Sequence, residues 1–563
     1  MREAAVQAER DVAVRRPARS SAPTWLLVAV AVLPLAFLTI FFLVPVAGML
    51  QRGLIVDGTL DLSGFAEAMG SSRIRRLIWL TIAQATIASL ISVLLGLPVA
   101  YCLYRFHFPG QAVLRAVVVM PFVLPTVVVG VAFRTLLGEA GPLGFLGLDG
   151  TWTAIIIGLV FFNVSVVARS VGAAWQGLDP RSEETAAALG AAPFTVFRTV
   201  TLPALRPAIV SSASVVFLFC ATAFGVVLTM GGLRYGTIET EIYLQTAHFL
   251  DLSTAAVLSV LQLIVVLGLL VVIGRVRRAP AKRATVRPVR RRPRKSEWPV
   301  FAITALVVVF LVTPIASLVV RSFQRGGRWT VDNYLALGTR GSNNALLVTV
   351  WDALRASVVI ALNATVIALL LGAMVAFVVS RAVSTQAGRR AVRAFDAAFM
   401  LPLGVSAVTV GFGFFITLNR PPLDLRTSSV LVPIAQATVA LPIVVRTITP
   451  ALQQIDDRLR QASMVLGGSY VRALLTVDLP VVWRPLLAAA GFAMAVSMGE
   501  FGATAFLARS DNPTLPVVIY RLISRPDGES FGMAMAGSVI LAVVTVTIMG
   551  LVERLRVETV GAF

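Results

Sequence analysis

What this chain can fold into is set by a succession of long apolar runs separated by short polar segments. Residues 24–50, 77–104, 208–230, 255–273 and 301–320 form such runs. Each is long enough to cross roughly 30 Å of hydrocarbon as a helix rising about 1.5 Å per residue. Weaker spans, interrupted by Pro or Gly, follow at 115–135, 152–168, 356–379, 394–417, 428–445, 486–507 and 532–551, for an expected count of about twelve. With 57% hydrophobic and only 14% charged residues, the chain lacks the polar surface of a soluble globule. The expected fold class is an all-α membrane protein with lipid as its main solvent.

The formal net charge of +21 is concentrated beside predicted helix ends, which argues for a topology signal and against a nucleic-acid partner. Arg10, Arg15, Arg16 and Arg19 precede the first span, a dense basic run from Arg275 to Lys295 follows the sixth, and Arg381, Arg389 and Arg390 follow the eighth. Positive charge favours the cytoplasmic side, so a multi-pass protein of the cell membrane is expected, with both termini and the central linker cytoplasmic. Arg321, Arg325 and Arg328 run against this arrangement. The first apolar run is too long for a signal-peptide core and lacks a small-residue cleavage site, so it reads as a retained helix. Cys102 and Cys220 both fall inside predicted spans and read as small core residues, giving neither a disulfide framework nor a metal site.

The sequence repeats itself. Residues 184–190 (ETAAALG) and 461–467 (QASMVLG), each followed by Leu-Pro at 202–203 and 479–480, are separated by a constant offset (461 − 184 = 277). The same offset maps Asp179 onto Asp456, Pro125 onto Pro402, Phe224-Gly225 onto Phe501-Gly502, Thr237 onto Thr514 and Tyr243 onto Tyr520. Halves with an even number of spans share one orientation, so two parallel six-helix repeats are expected. The implied organisation is a tail (1–23), a first repeat (24–274), a basic linker (275–297) and a second repeat (298–563).

Each repeated segment lies between the fourth and fifth spans of its half. Asp179 before Pro180 is a helix start: the carboxylate accepts a backbone N–H, and Pro at the first position has no donor to lose. A short helix is expected there, with Ala187, Gly190 and Ala191 on one face open to another backbone, and with Pro203 and Pro480 keeping the short helices separate from the next spans.

Glu184, Ala186, Gly190, Leu202 and Pro203 in this order resemble the cytoplasmic signature loop of binding-protein-dependent ABC importer permeases. The second copy keeps Ala462, Gly467, Leu479 and Pro480 but has Gln461 in place of Glu and Ser463 in place of Ala. The resemblance implies a type I importer permease fold and two coupling loops, the first including Ala187, each docking one copy of an ABC ATPase subunit. It also implies an extracytoplasmic solute-binding protein. The chain has no Gly-Lys dipeptide and hence no phosphate-cradling loop, so no cofactor or catalytic residue is expected in it, and ATP belongs to the partner subunits. Fusion of two halves resembles the thiamine and ferric-iron permeases. Segments 231–233, 237–239, 242–243, 514–516 and 519–520 lean toward the thiamine type, while 499–504 (GEFGAT) also resembles molybdate and sulfate permeases. Importers of phosphonate, polyamine or oxyanion are the alternatives within the family. An ion-coupled secondary transporter would have no use for paired coupling loops, and two His residues, His107 and His248, offer no catalytic cluster.

A carboxylate within an apolar run faces the bundle interior by default, so Glu500 either offsets a cationic solute or makes a structural hydrogen bond. Asn163, Asn363, Gln84 and Gln262 either line the path or join helices. Phe224 and Phe501 either form an aromatic constriction between the halves or simply pack.

Overall fold

The computed structural model describes residues 24–56, 58–231, 234–276, 293, 297–381, 383, 385–419, 424–425 and 428–555. The tail 1–23, most of the linker 275–297, and Gly232 and Leu233 fall outside this set. Among the described residues, nine helices are long and apolar enough to cross a membrane, two further spans are sharply bent helix pairs, and a shorter apolar helix begins at Leu252. They divide equally on either side of the linker.

The first half comprises α1 (Trp25–Leu54), α2 (Ser72–Arg105), the bent pair α3 (Gln111–Val123) and α4 (Thr126–Leu137), α5 (Trp152–Gln176), the short α6 (Pro180–Ala188), α7 (Pro193–Ala221), α8 (Gly225–Gly231), α9 (Ile238–Ala247) and α10 (Leu252–Val276). The second half repeats the order. It comprises α11 (Trp298–Ser322), α12 (Val350–Ser380), the bent pair α13 (Gln386–Gly404) and α14 (Ala407–Thr417), α15 (Leu431–Gln453), α16 (Asp457–Val465), α17 (Tyr470–Gly499), α18 (Thr504–Leu507), α19 (Leu515–Ile523) and α20 (Gly528–Leu555).

Four expectations from hydropathy are corrected. The runs at 115–135 and 394–417 are not straight spans: they turn by 104° and 97°. Pro125 lies in the first break and the matched Pro402 in the 3-10 turn Leu401–Gly404 just before the second, where a ring without an N–H cannot continue the α-helical ladder. The runs at 208–230 and 486–507 also stop short, at Ala221 and Gly499, and the chain then turns into the short α8 and α18.

In each half the second and fourth spans form the tightest pair, and glycine permits it. A Cβ on Gly96 of α2 would lie 2.7 Å from Val167 of α5, and one on Gly372 of α12 would lie 2.5 Å from Val444 of α15. Val167 and Val444 keep the 277-residue offset, whereas Gly372 lies one residue short of it.

The halves are not self-contained in space. α1 packs on α10 of its own half and reaches across to α12 and α14, where Leu38 and Phe42 share a core with Leu371 and Val375. A Cβ on Gly48 of α1 would sit 2.2 Å from the methyl of Thr417. In the same way α11 packs on α20 and crosses to α2 and α4, carrying Val307 and Leu311 into the core of the first half. A further core joins both halves through Phe224, Ile238, Val408, Phe501 and Ile519.

Candidate functional site

The two repeated loops have the same backbone. Asp179 accepts the Arg181 N–H at 3.0 Å and Asp456 accepts that of Arg458 at 2.9 Å, so each short helix opens on a capped first turn. Each closes in the same way. Gly190 (φ 84°) and Gly467 (φ 82°) are left-handed, the Ala191 N–H reaches back to the Ala186 carbonyl at 3.1 Å, and the Gly468 N–H to that of Ser463 at 3.0 Å. Each loop therefore closes on a glycine-terminated helix end with a 6→1 hydrogen bond. Gly190 therefore does not share a helix face with Ala187 and Ala191, as the spacing had suggested. It ends the helix, and a Cβ there would meet nothing within 4 Å, so the positive φ is what calls for glycine.

Pro203 and Pro480 also take a different role from the one expected. They do not separate the short helices from the next spans, because α7 and α17 are continuous from Pro193 and Tyr470. A π-turn precedes each proline, at Phe197–Thr201 and Leu474–Asp478. The Leu202 N–H bonds to the Phe197 carbonyl and the Leu479 N–H to that of Leu474, so the wider ladder carries the helix past a residue without a donor.

Glu184 is exposed on α6, Ala186 is half-buried, and Ala187 and Ala462 are exposed. The acid that is anchored is its neighbour Glu183. Arg105, at the end of α2, pairs with one Glu183 oxygen, and the Thr201 hydroxyl donates to the other at 2.7 Å. In the second half Arg381 pairs with Asp478, and the Arg460 Nε donates to the other Asp478 oxygen at 2.7 Å. Arg460 also pairs with Asp457 at 2.7 Å. The loops present large uncovered apolar side chains as well: Leu189 is 84% exposed and Leu466 87%.

At the interface between the halves, Phe224 and Phe501 stack with centroids 5.3 Å apart and planes at 22°. Tyr243 lies 5.4 Å from Phe224, and its equivalent Tyr520 lies 5.4 Å from Phe501. Four rings at matched positions thus close the contact between the halves. Glu500, next to the stack, accepts the Ala503 N–H at 2.7 Å and the Thr504 N–H at 3.1 Å, capping α18. Its oxygens are therefore used structurally. A second carboxylate, Glu239 at the start of α9, crosses between halves: the Ser406 hydroxyl donates to it at 2.6 Å and the Gln262 amide at 3.0 Å. The other mid-span amides are not drawn to the stack. Asn163 donates to the Leu159 carbonyl at 2.8 Å inside the first half, Asn363 is exposed, and Gln84 is wholly buried.

Residues 92–279 match the family described as the binding-protein-dependent transport system inner membrane component. The chain is 32% identical over 190 residues to the sulfate transport system permease protein CysT of Salmonella typhimurium, covering 69% of that protein and 32% of this chain. The chain belongs to this permease family.

Fused relatives align along nearly the whole permease. The thiamine transport system permease protein ThiP of Brucella abortus is 29% identical over 551 residues, covering 93% of this chain and 96% of the relative. ThiP of Escherichia coli is 27% identical over 453 residues, covering 78% and 82%. A bacterial ABC transporter involved in import of the acidic polysaccharide alginate matches 45% of the permease and 95% of that chain, at 18% identity and a TM-score of 0.41.

Two features of the permease are not marked by the sequence motifs. The motif falls on Glu184 and not on Glu183 because a motif records which residue type recurs, not which one finds a partner. Glu239 stands just after the Thr237 cap in a polar helix that also carries Glu241, so residue type alone does not mark it out.

Proposed function

We propose that this permease imports thiamine or a closely related heteroaromatic cation, delivered by an extracytoplasmic binding protein and driven by two ATPase subunits docked on the loops carrying α6 and α16. The observation that carries the cargo is co-linearity: the resemblance to thiamine permeases runs through both halves and the fusion point, covering 96% of the Brucella abortus protein. The aromatic contact between the halves suits such a cargo, because ring faces attract a delocalised cation and stack on a flat heterocycle. In this reading the loops face the cytoplasm, the linker and both termini lie on the same side, and ATP acts on the partner subunits, leaving transport alone to this chain. The Phe224–Phe501 stack is the barrier that parts as the halves rock. Glu184 and Gln461 give the two docking faces different charge.

The deciding measurement is uptake of radiolabelled thiamine by proteoliposomes holding the permease, its ATPase and its binding protein, competed with ferric iron and with sulfate. ATP-dependent uptake displaced by unlabelled thiamine alone supports the reading. Uptake absent for thiamine but present for ferric iron or an oxyanion overturns the cargo while keeping the importer. Accumulation that follows an ion gradient without ATP would sink both.

A further inference from the structure

Deepening the coupling-loop reading, and resting on it, we propose that Glu183 in one half and the Arg460–Asp478 pair in the other are positioning residues that pass coupling-helix motion into the membrane. In each half one side-chain network ties three elements together: the cytoplasmic-loop helix, the end of the second span and the π-turn of the fifth. In the first half Glu183 of α6 holds Arg105 at the end of α2 and Thr201, the last residue of the π-turn in α7. In the second, Arg460 of α16 holds Asp478, the last residue of the π-turn in α17, and Asp478 holds Arg381 just beyond α12.

The positions correspond. Glu183 maps onto Arg460 and Thr201 onto Asp478 at the 277-residue offset, and Arg381 lies one residue short of the position matching Arg105, the same slip that separates Gly372 from Gly96. The architecture of the joint is thus repeated while its anion changes place: the end of the second span supplies Arg105 or Arg381 in both halves, and the anion sits on the short helix in one (Glu183) and on the π-turn in the other (Asp478). A contact kept for packing alone would have no reason to link the same three elements twice through unlike chemistry. The joint also sits where a helix can yield, since a π-turn has a locally loosened hydrogen-bond ladder, and such turns recur at functional sites. Apart from this joint α6 packs against α7, so the Arg105–Glu183 pair is its side-chain link to α2.

The test uses the full-length permease with its ATPase subunits in nanodiscs, and two spin-label pairs read by pulsed electron resonance. Labels at the exposed Ser182 and Leu459 report separation of the short helices; labels at Ser72 and Trp351 report the far ends of the second spans. In the wild type, ATP is expected to shift both distances. In Glu183→Ala the first distance should still respond, while most of the response of the second is lost. The charge-exchanged double variant Arg105→Glu with Glu183→Arg should restore it. Should Glu183→Ala fail to accumulate, Thr201→Val, which removes a single hydroxyl hydrogen bond, decides the matter and is expected to give a partial loss. Full transmission to the second pair in whichever variant accumulates overturns the joint alone. If ATP leaves the Ser182–Leu459 distance unchanged in the wild type, the coupling-loop reading itself falls.

Discussion

The two cytoplasmic-loop regions share a backbone and differ in what holds them. α6 is fixed through a partly exposed pair, with side chains of Arg105 and Glu183 at 13% and 20% exposure. α16 is fixed through a nearly dry triad, Arg381 and Asp478 at 5% and 3% with Arg460 at 8%. The guanidinium of Arg381 also lies 4.4 Å over the Phe377 ring and 5.8 Å from that of Tyr470. Repetition has preserved the path of the chain, fixed by caps and glycine φ angles, more strictly than the charges along it. Caps and turns act locally and admit few residue types, whereas a buried anion can move from one element to another as long as it stays paired.

The largest difference between the two regions should come from their acids. Asp478→Ala leaves Arg381 and Arg460 buried without their shared anion, at an expected cost of about 3–5 kcal/mol. Thermal unfolding in detergent should show that loss, and a change below that of Thr201→Ala would break the comparison. Next come the glycines. Gly190→Val and Gly467→Val force a β-branched residue to positive φ at roughly 1–3 kcal/mol each, while Asn at the same positions should be nearly silent. Because the backbones match, the two costs should agree, and unequal losses would show that the loops differ in more than charge.

Thr201→Val removes one hydrogen bond, about 1 kcal/mol, against no equivalent in the second half, where the matching residue is Asp478. Smallest for the isolated permease are Leu189→Glu and Leu466→Glu. At highly exposed sites each should shift stability by no more than about 0.5 kcal/mol. Both should nevertheless reduce co-purification of the ATPase, and retention of the ATPase by either variant would separate that loop from docking.

Much of the fold was legible because hydropathy and repetition are carried by many residues at once. The spans, the offset, and the caps at Asp179 and Asp456 follow from residue type alone. The bends at Pro125 and Pro402 were not, because an apolar window counts composition and is blind to axis direction. The same limit hid the π-turns: a proline in an apolar run can break a helix, kink it or sit behind a widened turn, and only the hydrogen-bond ladder tells which. At the candidate site, matched offsets singled out Phe224 and Phe501, and the structure brings them face to face. Glu183, Arg460 and Asp478 are not legible in sequence because their importance lies in partners 18 to 97 residues away, which no local pattern encodes.

The exchanged arms bear on how the protein matures. Val307 and Leu311 of α11 complete the core of the first half, yet they leave the ribosome only after that half and the linker have been made. Leu38 and Phe42 of α1, in contrast, are synthesised ahead of the second half and await it. At about 5–20 residues per second, the first half spends several seconds in the bilayer with one wall missing, whereas the second half closes on a wall already present. A chain interrupted anywhere between the linker and Ser322 would therefore strand an insertion-competent but unfinished bundle, a natural substrate for membrane quality control.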